Sequence, residues 1–339
     1  MMLDTLDYLN GKPVVKGLYK QFESDFCVKE DLGYDLDGEG EHVFVSIEKQ
    51  NCNTLFVAEQ LAKFAGIPAK LVSYAGLKDR NAVTVQWFGL HIPGKTTPDF
   101  SLFVLEGCKV LHVERHSKKL RIGNLKGNFF SLILRDIDNK SELERRLTQV
   151  LENGVPNYFG EQRFGKENNN IDQAMLWAKG EINVKDRKKR SFYLSAARSA
   201  IFNGVVSERI VKNFDKIVLN GDILQLAERG SWFIAQHEEL MILQQRINNK
   251  EINITAPMLG DNGPGTKDDA LQFEQAYIET NWADFLPLFR QERLETSRRS
   301  VVLRPKEMTW IWQDEQILQV NFWLPAGSYA TAVLRELIL

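Results

Sequence analysis

Cysteine is scarce in these 339 residues: Cys27, Cys52 and Cys108 are odd in number and far apart. That count excludes a disulfide framework, and no Cys-x-x-Cys or Cys/His spacing suggests a structural zinc. The five histidines, His42, His91, His112, His116 and His237, are not spaced as metal ligands either, and none is assigned to catalysis. Long apolar runs are also missing. Nothing approaches the roughly twenty residues a membrane helix requires, and the start, Met1-Met2-Leu3-Asp4, lacks the basic and apolar regions of a signal peptide. A reducing cytoplasm is the expected compartment. Nor is there an excess of either charge, since 43 basic and 45 acidic side chains leave a formal net charge of -2. A nucleic-acid partner must therefore be held by local basic patches and not by the total. Gly38-Glu39-Gly40 is a turn and not a phosphate loop, because no Gly-Lys-Ser/Thr follows it. No dinucleotide fingerprint, internal repeat or low-complexity segment occurs.

What is present is length and pattern. A chain this long exceeds one ordinary domain, so two domains, or one with a large insertion, are expected. Phe26 to Glu30 alternates like a strand, Asp37 to Gly40 turns, and Val43 to Ile47 returns, which predicts a hairpin-like pair. Asn53 is placed to cap a helix whose apolar face is Leu55, Ala58, Leu61, Ala62 and Ala65, ended by Gly66 and Pro68. Strands are predicted over Val83 to His91, with Val83, Val85 and Trp87 on one face, within Cys108 to Arg121, and over Phe129 to Leu134. The basic run Arg115 to Lys119 reads as an exposed loop. Ser141 and Glu144 form a capping-box pattern that opens a helix through Leu151. Beyond Gly154 the character changes. Helices are expected over Ile171 to Ala178, Leu194 to Lys212 and Asp268 to Glu279, joined by connectors such as Lys185 to Arg190, with an irregular loop from Ala256 to Gly265. Period-two patterning returns at Val301 to Leu303, Met308 to Trp312 and Ile317 to Trp323. Ser328 is placed to cap a last helix with Ala330, Val333, Leu334 and Leu337 on its apolar side.

One stretch is arranged like a reagent: Tyr74-Ala75-Gly76-Leu77-Lys78-Asp79-Arg80, just ahead of the strand that starts at Val83. Asp79 sits between two cations and beyond a glycine that can turn the chain sharply. Opposite charge a few ångströms away lowers a carboxyl pKa by about one to three units, which favours the ionised form. Such an aspartate is a poor proton donor and suits a nucleophile, a metal ligand or a guanidinium-held anchor. On composition alone, Lys-Asp-Arg reads first as a solvated charge cluster on a turn.

Five blocks, in order and spanning nearly the whole chain, settle on one resemblance. They are the stretch ending Gly76-Leu77-Lys78-Asp79-Arg80, Phe22 to Glu30, Gly127-Asn128-Phe129-Phe130, Asn157 to Gly165, and Leu324 to Thr331. Together they resemble the D family of tRNA pseudouridine synthases. The resemblance implies that Asp79 is catalytic, that Phe26, Phe130 and Tyr329 stack on a turned-out uridine, and that Asn128 meets the uracil edge or the nearby backbone. Lys20 is the expected basic partner of Asp79, with Arg80 as the next choice. Ser328-Tyr329 departs from the family, which often has phenylalanine in the second place. The implied fold is α+β: a catalytic domain with a mixed, mostly antiparallel sheet, built from 1–153 and 303–339, interrupted by an inserted α/β TRUD domain over 154–302 across a basic groove. The implied reaction turns uridine into pseudouridine in tRNA, at position 13, with neither cofactor nor metal, in a cytoplasmic monomer. Arg187-Lys188-Lys189-Arg190 and Arg298-Arg299 are candidate phosphate contacts. Two rivals of other classes are a tRNA-binding or folding protein without chemistry, and a glycosidic-bond hydrolase pairing Asp79 with Glu23 or Glu30.

Overall fold

Alternating runs and capped helices account for most elements of the computed structural model, which describes residues 5–94, 96–227 and 230–339. The start, Met1 to Asp4, lies outside the described residues. The strands in chain order are β1 (Leu18–Tyr19), β2 (Phe26–Asp31), β3 (His42–Lys49), β4 (Val72–Tyr74), β5 (Val83–His91), β6 (Cys108–His116), β7 (Gly127–Arg135), β8 (Val155–Pro156), β9 (Ile223–Leu226), β10 (Trp232–Ile234), β11 (Ile252–Met258), β12 (Ser297–Ser300), β13 (Val302–Leu303), β14 (Lys306–Trp312) and β15 (Leu318–Pro325). The helices are α1 (Thr54–Phe64), α2 (Lys140–Asn153), α3 (Asn169–Ala178), α4 (Arg187–Val211), α5 (Leu240–Asn248), α6 (Asp268–Trp282), α7 (Phe285–Gln291) and α8 (Ala330–Leu337). The chain divides into two compact units: 14–145 with 305–327 and 338–339, and 1–13 with 146–304 and 328–337.

The first unit is built on a nine-stranded sheet in the order β14-β15-β7-β2-β5-β3-β6, with β1 beside β7 and β4 beside β5. It is mixed but mostly antiparallel, and β2 runs parallel to β5. The predicted hairpin between β2 and β3 does not form. β5 lies between them, paired to β2 on one side and to β3 on the other. As a nine-residue strand it offers a longer partner than a tight turn at Gly38 to Gly40 does. Val83, Val85 and Trp87 share one face of β5, as the alternation predicts, and are half-buried, while Thr84, Gln86, Phe88 and Leu90 on the other face are buried. α1 covers the same unit. Asn53 caps it by accepting the Leu55 amide, and Val57, Ala58, Leu61 and Ala62 enter the core, whereas Leu55 faces out. Full burial of a Val or Leu side chain contributes about 1.5–3 kcal/mol, so Val57 and Leu61 anchor this helix.

Two local expectations give way to side-chain hydrogen bonding. Asn139, not Ser141, caps α2, since its side chain accepts the Glu142 amide. Glu144 is thereby released from a capping box and accepts the indole N–H groups of Trp310 and Trp312 at 2.9 and 2.5 Å. In the run Arg115 to Lys119 only Ser117, Lys118 and Lys119 are exposed. Arg115 donates to the carbonyls of Gly40, Ile92 and Thr96, and His116 is buried beside Asp37.

The second unit carries the sheet β10-β9-β11-β12, the short pair β13-β8, helix α8, and helices α3 to α7 around a core that includes Phe164, Phe202, Phe285 and Phe289. Asp186 caps α4 by accepting the Lys189 amide, so Arg187 to Arg190 form its first turn and not a connector. β11 extends to Met258, which shortens the expected loop from its front. The block Asn157 to Gly165 is fixed by Asn203, whose side chain both accepts the Phe159 amide and donates to the Phe159 carbonyl. Ala330, Val333, Leu334 and Leu337 of α8 are buried as the pattern predicts. Among the described residues no helix is long and apolar enough to cross a membrane.

Candidate active site

Cys27 of β2 lies opposite Val83 of β5 in parallel register, so the segments that lead into these strands arrive at the same end of the sheet. Lys20 and Asp79 sit on those two segments. The Lys20 ammonium donates to Asp79 Oδ2 at 2.5 Å and lies 4.3 Å from the centre of the Phe26 ring. Asp79 Oδ1 accepts the Asn81 amide at 3.0 Å. The Asp79 carbonyl accepts from Lys49 Nζ at 3.1 Å, and this buried lysine also donates to the Cys52 carbonyl. Burial alone would raise the Asp79 pKa. The Lys20 hydrogen bond, the Asn81 amide and the charges of Lys20 and Lys49 outweigh it and hold the carboxyl below its ordinary value. The group is therefore a carboxylate at neutral pH.

Buried polar side chains clamp the loop that presents it. Gln86 donates to the Gly76 carbonyl at 2.7 Å, Thr54 donates to Gln86 at 3.0 Å, and the Lys78 amide donates to Thr54 Oγ1 at 3.1 Å. Lys78 then reaches inward. Its ammonium donates to Asn128 Oδ1 at 2.5 Å and lies 3.3 Å from Glu30 Oε1. The other Glu30 oxygen accepts the Trp87 amide at 2.7 Å. Burial raises the Glu30 pKa, and the Lys78 charge and Trp87 amide offset only part of that rise. Glu30 and Asn128 are register partners on β2 and β7, which places both side chains on one face of the sheet.

Phe130, two residues along β7, shares that face. It stacks on Phe322 at 5.4 Å and meets Phe26 edge-on at 6.3 Å. Thus the structure brings Lys20, Phe26, Asp79, Asn128 and Phe130 into one unit on linked strands. Arg80 is not the partner of Asp79: its Nε donates to the Asn51 carbonyl at 3.0 Å, and Lys20 takes that place. Tyr329 belongs to the other unit, where its ring meets Phe159 at 5.8 Å. Glu23 accepts from Gln50. Of the candidate phosphate contacts, Arg298 is buried against Glu274 and Arg190 pairs with Glu292, while Arg187, Lys188 and Lys189 are exposed. Arg299 lies 4.3 Å over the Phe159 ring, and burial lowers its pKa to about 10.

Sequence reasoning missed Lys49, Thr54 and Gln86. The signal for Gln86 was a polar side chain inside an alternating strand, which reads as a solvent face until a loop is known to cross it.

Across 98% of this chain and 95% of the other, the fold matches the crystal structure of a Methanosarcina mazei protein that carries the TruD name, with a TM-score of 0.74 at 21% identity. The family model described as tRNA pseudouridine synthase D (TruD) matches residues 2–175 and 177–337. The tRNA pseudouridine synthase D of Pectobacterium atrosepticum is 55% identical over 338 residues, covering 99% of this chain and 96% of that protein. The chain belongs to the tRNA pseudouridine synthase D family.

Proposed function

We propose that this protein is an isomerase that converts uridine to pseudouridine in tRNA, at position 13, with Asp79 as the catalytic group and no cofactor. Family membership supports the reaction, and one observation supports the residue: Asp79 is kept ionised by Lys20, whose ammonium also lies over the Phe26 ring. The reaction breaks the bond from ribose C1′ to N1, turns the base, joins C5 to C1′, and replaces the proton lost from C5 by one gained at N1, directly or by exchange with solvent. Atoms and electrons balance without an oxidant, so a carboxylate is sufficient covalent machinery. Turning a stacked uridine out costs a few kcal/mol, and stacking on an aromatic ring returns roughly 1–3 kcal/mol per base. Phe26, Phe130 and Tyr329 take that role in this reading, Asn128 and Arg80 contact the nucleotide, and Lys20 positions Asp79.

The domain reading is part of the proposal: catalysis in 1–153 with 303–339, and tRNA gripped by the insert 154–302. The protein acts in the cytoplasm as a monomer. The test uses purified protein and unmodified tRNA transcript without added metal or nucleotide, scored by carbodiimide labelling because the product has the mass of the substrate. Asp79→Asn should abolish turnover and leave tRNA binding largely intact. Full activity in that variant would refute the assignment.

A further inference from the structure

Asn128 has two ends of opposite character, and Lys78 decides which one faces outward. An ammonium only donates, so it must meet the carbonyl oxygen of the amide. The Lys78 Nζ contact with Asn128 Oδ1 at 2.5 Å therefore fixes the side chain, and Lys78 is itself held by Glu30 Oε1 at 3.3 Å. Among the described residues the Asn128 Nδ2 group makes no hydrogen bond, and it is not one of the fully buried polar atoms without a partner. It is an open donor beside Phe130.

We infer that Lys78 is a specificity-determining positioning residue, which locks Asn128 as a hydrogen-bond donor to a carbonyl oxygen of the uracil. This rests on the proposed reaction and adds to it how the base is held. Uracil presents O2 and O4 as acceptors on either side of N3–H. A half-turn about the N3–C6 axis, which exchanges N1 with C5, also exchanges O2 with O4. A donor fixed at that point finds a carbonyl oxygen before the base turns and after it has turned. Cytosine, with an amine at C4, offers a donor to a donor in one of the two orientations and is rejected.

The test compares wild type with Asn128→Asp, Asn128→Ala, Lys78→Met and the double variant Glu30→Gln/Lys78→Met, on tRNA carrying uridine or 4-thiouridine at the target position. Folding is checked by thermal unfolding. Losing a fixed neutral hydrogen bond should lower kcat/KM about tenfold in Asn128→Ala. Asn128→Asp keeps the bond to Lys78 but replaces the donor, and should be at least as impaired as Asn128→Ala. Lys78→Met should fall similarly and should not recover in the double variant. The sulfur substitution should penalise wild type and leave Asn128→Ala unaffected. Wild-type activity in Asn128→Asp would overturn the inference, because the acceptor end would then be the working one. So would recovery in the double variant, which would mean that Lys78 only balances the Glu30 charge. If Lys78→Met does not fold, the Asn128→Asp comparison still decides. A wild type that forms no pseudouridine sinks the proposed reaction instead, which separates the two failures.

Discussion

Replacing Lys20 by methionine isolates the electrostatic half of the site. The side chain keeps its length and can still lie against Phe26, but the cation bonded to Asp79 at 2.5 Å is gone. What remains is burial, which raises the carboxyl pKa, against the Asn81 amide and the charge of Lys49, which lower it. The pKa must rise. An opposite charge this close shifts a carboxyl by about one to three units. Both partners are partly exposed, at 25% and 30%, so solvent screening puts the effect near the lower end. About one unit corresponds to about 1.4 kcal/mol. The assay is kcat/KM against pH, in which the acid limb of the variant should lie about one unit above that of wild type. Stability gives an independent check. A carboxyl whose folded pKa is depressed stabilises the fold above its unfolded pKa of about 3.9, and that contribution is lost as pH falls through the folded value. The stability gap between wild type and variant should accordingly be full at neutral pH and shrink in acid. Coincident acid limbs, or a gap that does not diminish in acid, would refute the assignment of Lys20 as the group that keeps Asp79 ionised.

Three further outcomes are expected. Gln86→Leu leaves the Gly76 carbonyl and the Thr54 hydroxyl without their partner; calorimetry should show a loss of about 1–3 kcal/mol, and single-turnover rates should fall because the Asp79 loop is loosened. Asp222→Ala strands the fully buried Arg209, and denaturant unfolding should report about 3–5 kcal/mol of lost stability. Gly127→Ala would put a Cβ 2.3 Å from the Trp323 ring and 2.4 Å from the Leu324 carbonyl, so the strand carrying Asn128 must shift; thermal unfolding should show about 1–3 kcal/mol of destabilisation together with weaker tRNA turnover.

Much of the fold could be read from local pattern, because local pattern is what makes those elements. Asn53 caps α1, β5 runs over the predicted residues, and α8 buries the predicted side. Failures occurred where a side chain serves a distant partner. Gln86 lies on the buried face of β5 because it belongs, with Thr54, to the clamp on another loop, which periodicity cannot know. Glu144 fitted a capping box and instead serves two tryptophans on β14. Arg298, read as a phosphate contact from its charge, is neutralised by Glu274, which lies 24 residues earlier. At the site, Lys20, Phe26, Asp79, Asn128 and Phe130 were legible through family resemblance; the bond from Lys78 to Asn128 was not, because it spans 50 residues.

The misread hairpin explains why the site exists at all. Two parallel strands begin at the same edge of a sheet, whereas antiparallel neighbours begin at opposite edges. Had β2 paired with β3 as a hairpin, β5 would have lost the parallel place beside β2. Had β5 taken that place antiparallel, the loop leading into it would lie a strand length away, about 20 Å for six residues. No lysine spans that distance. Parallel pairing of Cys27 with Val83 brings the approach to each strand to the same edge, and a lysine six residues before Phe26 then meets an aspartate four residues before Val83. The ion pair is thus a consequence of strand direction. Substitutions that weaken the β2–β5 register should impair Asp79 even when they touch none of its contacts.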